Sequence, residues 1–136
     1  MADMIDNYRL ERQLGQGGMG TVYLATDLNL QRQVALKLMH PHLASQAEFQ
    51  QRFLQEARAA ASLDHPHIIK VLYFGLKDGQ LFLVTDFVAG GSLRDYIKHL
   101  NQINKPMDLM EAVELTRQIA EALNYAHGQG MVHRDI

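Results

Sequence analysis

Leu14-Gly15-Gln16-Gly17-Gly18-Met19-Gly20-Thr21-Val22-Tyr23-Leu24-Ala25 is the stretch that decides between two architectures. Its Gly-x-Gly-x-x-Gly spacing occurs at strand-to-helix turns, where it opens a dinucleotide-binding unit, and also in loops that join two strands. The residues after the last glycine separate the two. Thr21 to Ala25 is β-branched, aromatic and alternating, which is a strand pattern, so the glycines form a flap between two strands. A flap without side chains can bring backbone N–H groups close to phosphate oxygens; as plain structure it is a glycine-rich hairpin.

Period-two alternation extends outward from this flap. Tyr8 to Leu14, Thr21 to Thr26 and Gln33 to Met39 read as three strands, the last two joined by the polar Asp27 to Arg32 turn. Ser45 followed by Glu48 has the form of a capping box, and Phe49, Phe53, Ala57 and Ala60 recur at helical spacing, which predicts a helix to about Ser62. Ile68 to Phe74 and Leu81 to Phe87 read as two more strands, with the turn signal Asp78-Gly79 between them. Gly90-Gly91 then acts as a joint, and every later element looks helical. Ser92 with Asp95 caps a helix to about Leu100, and Asp108 with Glu111 caps a longer one to about His127, stopped by Gly128 and Gly130. The pattern predicts an α+β chain, with a sheet unit over residues 1–89 and a helical part over 90–136.

Composition limits the function classes. Thirteen basic against fifteen acidic side chains give a net charge of -2, so no chain-wide field favours nucleic acid or an anionic membrane. Any phosphate binding must therefore be local. The absence of cysteine excludes a disulfide scaffold and thiolate chemistry, and fits an intracellular protein. The amino terminus lacks a signal-peptide pattern, and no stretch approaches the roughly 18 apolar residues of a membrane span, so the expected location is the cytoplasm. His40-Pro41-His42 and His65-Pro66-His67 are two His-x-His pairs, too few ligands for zinc without cysteine, and no metal site is expected there.

Two charged residues stand out against this background. Period two puts Ala35 and Lys37 on one strand face and Val34, Leu36 and Leu38 on the other, so Lys37 is either a solvent-facing residue or a cation aimed into a site. Residues 49, 53, 56 and 60 share a helical face, which would put Glu56 on the stripe that packs against the sheet. A carboxylate there needs a partner, and Lys37 is the natural one.

The glycine flap, Val34-Ala35-Leu36-Lys37, the helical Glu56 and a final His133-Arg134-Asp135 form an ordered set that resembles the eukaryotic-type protein kinases. Leu14 to Tyr23 and Arg52-Phe53-Leu54-Gln55-Glu56-Ala57 look most like the bacterial serine/threonine members, and the likeness runs from Tyr8 to Ile136. The resemblance implies a five-stranded antiparallel small lobe with one helix, followed by the first helices of a large lobe. It also implies an ATP site. Gly15, Gly17 and Gly20 would cover the phosphates, and Lys37, held by Glu56, would meet the α- and β-phosphates. Leu14, Val22 and Ala35 would line the adenine slot, with Thr85 as gatekeeper and the Asp86 carbonyl and Val88 N–H at the adenine edge. Asp135 would serve as general base toward a protein serine or threonine hydroxyl, and Arg134 would meet a phosphorylated activation loop.

The family's magnesium ligands, an Asn and the Asp of an Asp-Phe-Gly, are expected downstream of Ile136, so these 136 residues alone should transfer no phosphoryl group. The alternative reading is a non-catalytic remnant that binds nucleotide or a partner. Ser92 stands near a position where many basophilic kinases carry Glu, which leaves peptide preference open. Ala112, Leu115, Ile119, Ala122, Leu123 and Ala126 form a stripe on the last helix that is expected to be largely exposed, a route to self-association.

Overall fold

The structure, a computed structural model, describes residues 3–133. They divide into two compact units: the chain up to Asp64 with Ile69–Phe87, and His65–Ile68 with the chain from Val88 onward.

The first unit is built on an antiparallel sheet of β1 (Met4–Ile5), β2 (Tyr8–Gln16), β3 (Gly20–Asp27), β4 (Arg32–Met39), β5 (Val71–Lys77) and β6 (Gln80–Asp86). Their order across the sheet is β1-β2-β3-β4-β6-β5. The sixth strand, beyond the five expected, is β1, which folds back on β2 with Ile5 opposite Tyr8. Two residues are too few to show alternation. Burial accounts for the strand, because Ile5 and Tyr8 join Ala25, Val34, Leu36, Phe82 and Val84 in one core cluster. At the β3–β4 turn the buried Asp27 accepts hydrogen bonds at Oδ1 from Asn7 Nδ2 (2.8 Å), Asn29 N (3.0 Å) and Leu30 N (3.2 Å). That carboxylate ties the β1–β2 connection to the β3–β4 turn. Asp78 (φ 51°) and Gly79 (φ 76°) both take the left-handed conformation that a two-residue hairpin turn requires.

Between β4 and β5 run α1 (Pro41–Ala44) and α2 (Ala47–Ala61). The expected Ser45–Glu48 capping box does not form. Pro41, whose ring presets a helical φ and whose missing N–H costs nothing at a first turn, starts α1. Ser45 then ends that helix, its Oγ donating to His42 O at 3.0 Å, and α2 begins after Gln46 without a side-chain cap. Phe49, Phe53 and Leu54 of α2 pack against Met39, Ala44 and Leu81, and Ala57 is buried. Glu56 lies about 100° around the helix from Ala57 and is exposed. The buried stripe thus centres on Phe53, Leu54 and Ala57, which corrects the placement of Glu56 on it.

In the second unit, α3 (Leu93–Gln102) starts with a complete capping box, Asp95 N donating to Ser92 Oγ and Ser92 N to Asp95 Oδ2, each at 3.1 Å. Asp108 precedes α4 (Leu109–Gly128) as its N-cap residue but makes no side-chain cap bond. His65–Ile68 runs beside α4, with the His65 ring centroid 5.3 Å from that of Tyr125 and His67 Nε2 4.0 Å from Glu121 Oε2. The apolar stripe of α4 is less open than expected. Ala122 is buried and Ala112, Leu115, Leu123 and Ala126 are half-buried, leaving Ile119 as its exposed member. The larger exposed apolar side chains are instead Leu109, Met110 and Val113, at the helix start. Among the described residues no helix is long and apolar enough to cross a membrane.

A Cβ at Gly20 would lie 2.2 Å from Leu38 O and 3.1 Å from Met39 Cα, both backbone atoms of a paired strand that cannot rotate away. Gly20→Ala is therefore expected to lower the unfolding free energy in urea by roughly 1–3 kcal/mol. At Gly18 an added Cβ meets nothing within 4 Å, and Gly18→Ala should stay within about 0.5 kcal/mol of the parent; equal midpoints for the two variants would contradict this packing.

The Asp95 carboxyl is held below the ordinary aspartate range, first by the Ser92 backbone N–H and then by its hydroxyl. A folded-state pKa below the unfolded one means that the cap contributes stability above the unfolded value and loses it as pH falls through the folded value. An NMR titration of the Asp95 carboxyl carbon should give a midpoint below that of an ordinary aspartate. A midpoint at or above it would refute the cap.

Candidate functional site

The sheet register gathers the residues of interest. Gly15 is opposite Val22, Val22 opposite Lys37, and Lys37 opposite Leu83, which makes a row across four strands. Directly paired residues point to the same side of a sheet, and residues two apart along a strand share that side. Val22, Ala35, Lys37, Leu83 and Thr85, which pairs with Ala35, therefore share one face. Val34, Leu36, Leu38, Phe82 and Val84 pack into the core cluster on the other face. The division expected for β4 is the one the structure shows. Leu24 and Leu83 also belong to the Lys37 face, and sequence reasoning did not name them. Period two counted forward from Val22 and back from Thr85 would have found both.

Over the end of this row sits the glycine flap. It is a tight tip between β2 and β3 in which Gly17 N donates to Gly20 O at 2.9 Å. Cβ atoms added at Gly15, Gly17 or Gly18 would meet nothing within 4 Å, so the tip is open toward solvent and free of side-chain bulk. The residue after β4 reaches this tip twice: His40 N donates to Met19 O at 2.9 Å, and His40 Nε2 lies 3.0 Å from Gly17 O. Leu14, just before the flap, is exposed, while Val22 and Ala35 are half-buried, as suits two surfaces of an open apolar slot.

Lys37 is half-buried and, among the described residues, makes no ion pair or side-chain hydrogen bond. The expected pairing with Glu56 is absent, since the two charged groups do not approach within 4.0 Å. The cause is the docking of α2. Its Phe49, Phe53 and Leu54 sit on Met39 and Leu81, at the end of the Lys37 face, and this rotation turns Glu56 outward. The ammonium is thus left without an internal counter-charge on the face beneath the glycine flap, where an anionic ligand would supply one.

Thr85 is half-buried and its hydroxyl donates to Asp86 O at 3.2 Å, while Asp86 N donates to Lys70 O at 3.1 Å. Val88 belongs to the second unit and is exposed. Asp135 and Arg134 lie outside the described residues. No group of three or more His, Asp or Glu side chains among the described residues could hold a metal ion.

This geometry has counterparts among known proteins. The protein kinase domain family matches residues 8–136. Serine/threonine-protein kinase PknJ of Mycobacterium tuberculosis is 44% identical over 129 residues, covering 95% of this chain and 21% of that protein. Serine/threonine-protein kinase PrkC of Bacillus subtilis is 40% identical over 129 residues, covering 95% of this chain and 19% of the other. Among solved structures, the Mycobacterium tuberculosis PknI kinase domain superposes with a TM-score of 0.81 at 34% identity, over 99% of this chain and 54% of that one. The chain thus spans about a fifth of the length of these curated relatives and about half of the solved kinase domain. Strand-flap-strand geometry, the register that sets Lys37 beneath the flap, and a match running through the His-Arg-Asp triplet converge on one assignment: the chain belongs to the protein kinase domain family, among relatives that are bacterial serine/threonine kinases.

Proposed function

We propose that this chain is the ATP-binding part of a serine/threonine protein kinase, which transfers the γ-phosphate of ATP to protein hydroxyls. The observation that carries the reading is the Gly15–Val22–Lys37 row, with an unpaired ammonium beneath a flap that has no side chains at Gly15, Gly17 and Gly18. Each part answers to one part of the nucleotide. Backbone N–H groups of the flap cradle phosphate oxygens, and Lys37 supplies a point charge to the α- and β-phosphates. Leu14, Val22 and Ala35 offer apolar surface to adenine, Thr85 stands at the back of that slot, and the Asp86 carbonyl and Val88 N–H read the base edge. Glu56 becomes the partner of Lys37 when α2 turns toward the sheet, so the outward Glu56 corresponds to a resting arrangement.

Asp135 is the residue that orients the substrate hydroxyl and accepts its proton. Magnesium, when bound with ATP, neutralises charge developing on the β- and γ-phosphates. None of the described residues offers a metal cluster, and no magnesium ligand is assigned within this chain. The residues after the His-Arg-Asp triplet in the family supply those ligands.

Isothermal titration with a non-hydrolysable ATP analogue is expected to show binding at millimolar concentration or tighter. Lys37→Ala should weaken it about ten- to a hundredfold, the worth of a charge-assisted hydrogen bond, with the urea midpoint little changed. A folded sample that binds nothing at millimolar analogue would sink the reading.

A purified polypeptide of residues 1–136 is expected to transfer no label from radioactive ATP to a generic protein substrate, because positioning and metal charge supply most of the catalysis. Fusion to a kinase-family segment that carries the Asn and Asp-Phe-Gly should produce activity that depends on both Lys37 and Asp135. Robust magnesium-dependent labelling by the 136-residue polypeptide, lost on Asp135→Ala, would contradict this.

A further inference from the structure

His40 belongs to one of the two His-x-His pairs, and nothing in the nucleotide reading uses it. It is the first residue after β4 and stands three positions beyond Lys37. Its backbone N–H donates to Met19 O at 2.9 Å, and its ring Nε2 lies 3.0 Å from Gly17 O. A carbonyl oxygen only accepts, so Nε2 carries the hydrogen in this contact. One residue therefore holds two of the carbonyls of the glycine tip. The third bond of the tip, Gly17 N to Gly20 O, is internal to it and sets no height above the sheet.

Nothing else among the described residues holds the tip by a side-chain hydrogen bond, and added Cβ atoms at Gly17 and Gly18 meet empty space. A glycine loop without packing has large conformational freedom, so a single side-chain bond has leverage there. The local backbone serves that bond. Pro41 restricts the residue before it to extended conformations, and His40 has φ -59° and ψ 139°. It stands at the N-cap position of α1 yet makes no side-chain cap bond, its ring being committed to Gly17 instead. The His42 ring lies nearly parallel to it, with centroids 5.8 Å apart and planes 12° from parallel.

We propose that His40 is a positioning residue for the phosphate site: its ring bond to Gly17 O sets the height of the glycine tip relative to Lys37 on β4. The proposal rests on the nucleotide reading above. It touches only the phosphate half of the ligand, because the tip lies beyond Val22 and Ala35, which serve the base.

The test combines two measurements on the full chain with His40→Ala and His40→Gln, the latter keeping an N–H donor of similar reach. In the nucleotide-free protein, amide hydrogen exchange at Gly17 should speed up about three- to tenfold in His40→Ala, the equivalent of one neutral hydrogen bond. Exchange in the β4 and β6 amides should stay unchanged, which verifies the fold. Affinity for the ATP analogue should fall by a similar factor in His40→Ala while that for adenosine, followed by NMR titration, stays the same. His40→Gln should recover most of both effects. Unchanged Gly17 exchange, an equal loss for adenosine and the ATP analogue, or no recovery with Gln would each overturn the proposal. If the parent chain binds no ATP analogue, the nucleotide reading falls and this proposal with it; if the parent binds and His40→Ala binds as tightly, only this proposal falls.

Discussion

The pairing of β3 with β4 runs without a bulge from Gly20 opposite Met39 to Asp27 opposite Arg32, and the rest of the first unit is arranged around it. At its upper end the two backbones approach so closely that no side chain fits at Gly20. At its lower end Asp27 closes the turn and anchors Asn7. Because the ladder is unbroken, the side-chain alternation of one strand is imposed on the other. Lys37 must then share a face with Val22, while Val34, Leu36 and Leu38 must enter the core. By contrast, β2 pairs with β3 through two irregularities, between Leu10 and Arg12 and between Gln13 and Gly15. Bulges increase local twist and bend the bulged strand. The regular side of the flap is thus β3 with β4, and the irregular side is β2.

Electrostatics in this unit follow from where α2 docks. Lys37 is half-buried and has no ion-pair partner among the described residues, so its charge is not satisfied by protein there. The apolar contacts of Phe49, Phe53 and Leu54 with Met39 and Leu81 stabilise the observed helix rotation. A single solvent-screened ion pair, worth at most about 1 kcal/mol, does not compete with burial of several large side chains at roughly 1.5–3 kcal/mol each. Packing therefore decides the helix rotation in this structure. The same comparison explains why Glu114, Arg117 and Glu121 form a surface network on α4 without deciding its course. Arg117 holds the exposed Glu114 carboxyl down to about 2, an effect that solvent screening largely removes from stability.

The second unit is organised by local signals to a greater degree. Ser92 and Asp95 satisfy each other's backbone donors within four residues, so the start of α3 was readable from the chain alone. The same reasoning failed at Ser45, where a proline four residues earlier had already begun another helix. It was half right at Asp108, which is the N-cap residue of α4 although its side chain accepts no cap hydrogen bond. A capping pattern names a possible boundary, and the neighbouring elements decide whether it is used.

The sequence by itself determined the strand-flap-strand unit, the change from sheet to helix, the two-residue turn at Asp78-Gly79 and the alternation on β4, because period and turn chemistry are properties of a few adjacent residues. It also carried the family likeness in Gly15 to Val22, Lys37 and His133-Arg134-Asp135. Only the tertiary structure decided that Val22, Lys37 and Leu83 lie in one row, that β1 exists, and that His40 reaches Gly17. It also decided that Glu56 is exposed and unpaired with Lys37, although helical spacing had put it on the stripe that packs against the sheet. A helix wheel gives the angles between side chains but not the rotation of the whole helix on its sheet. That rotation is set by which side chains fit the surface offered by Met39, Ala44 and Leu81, residues that meet α2 only after the chain has folded.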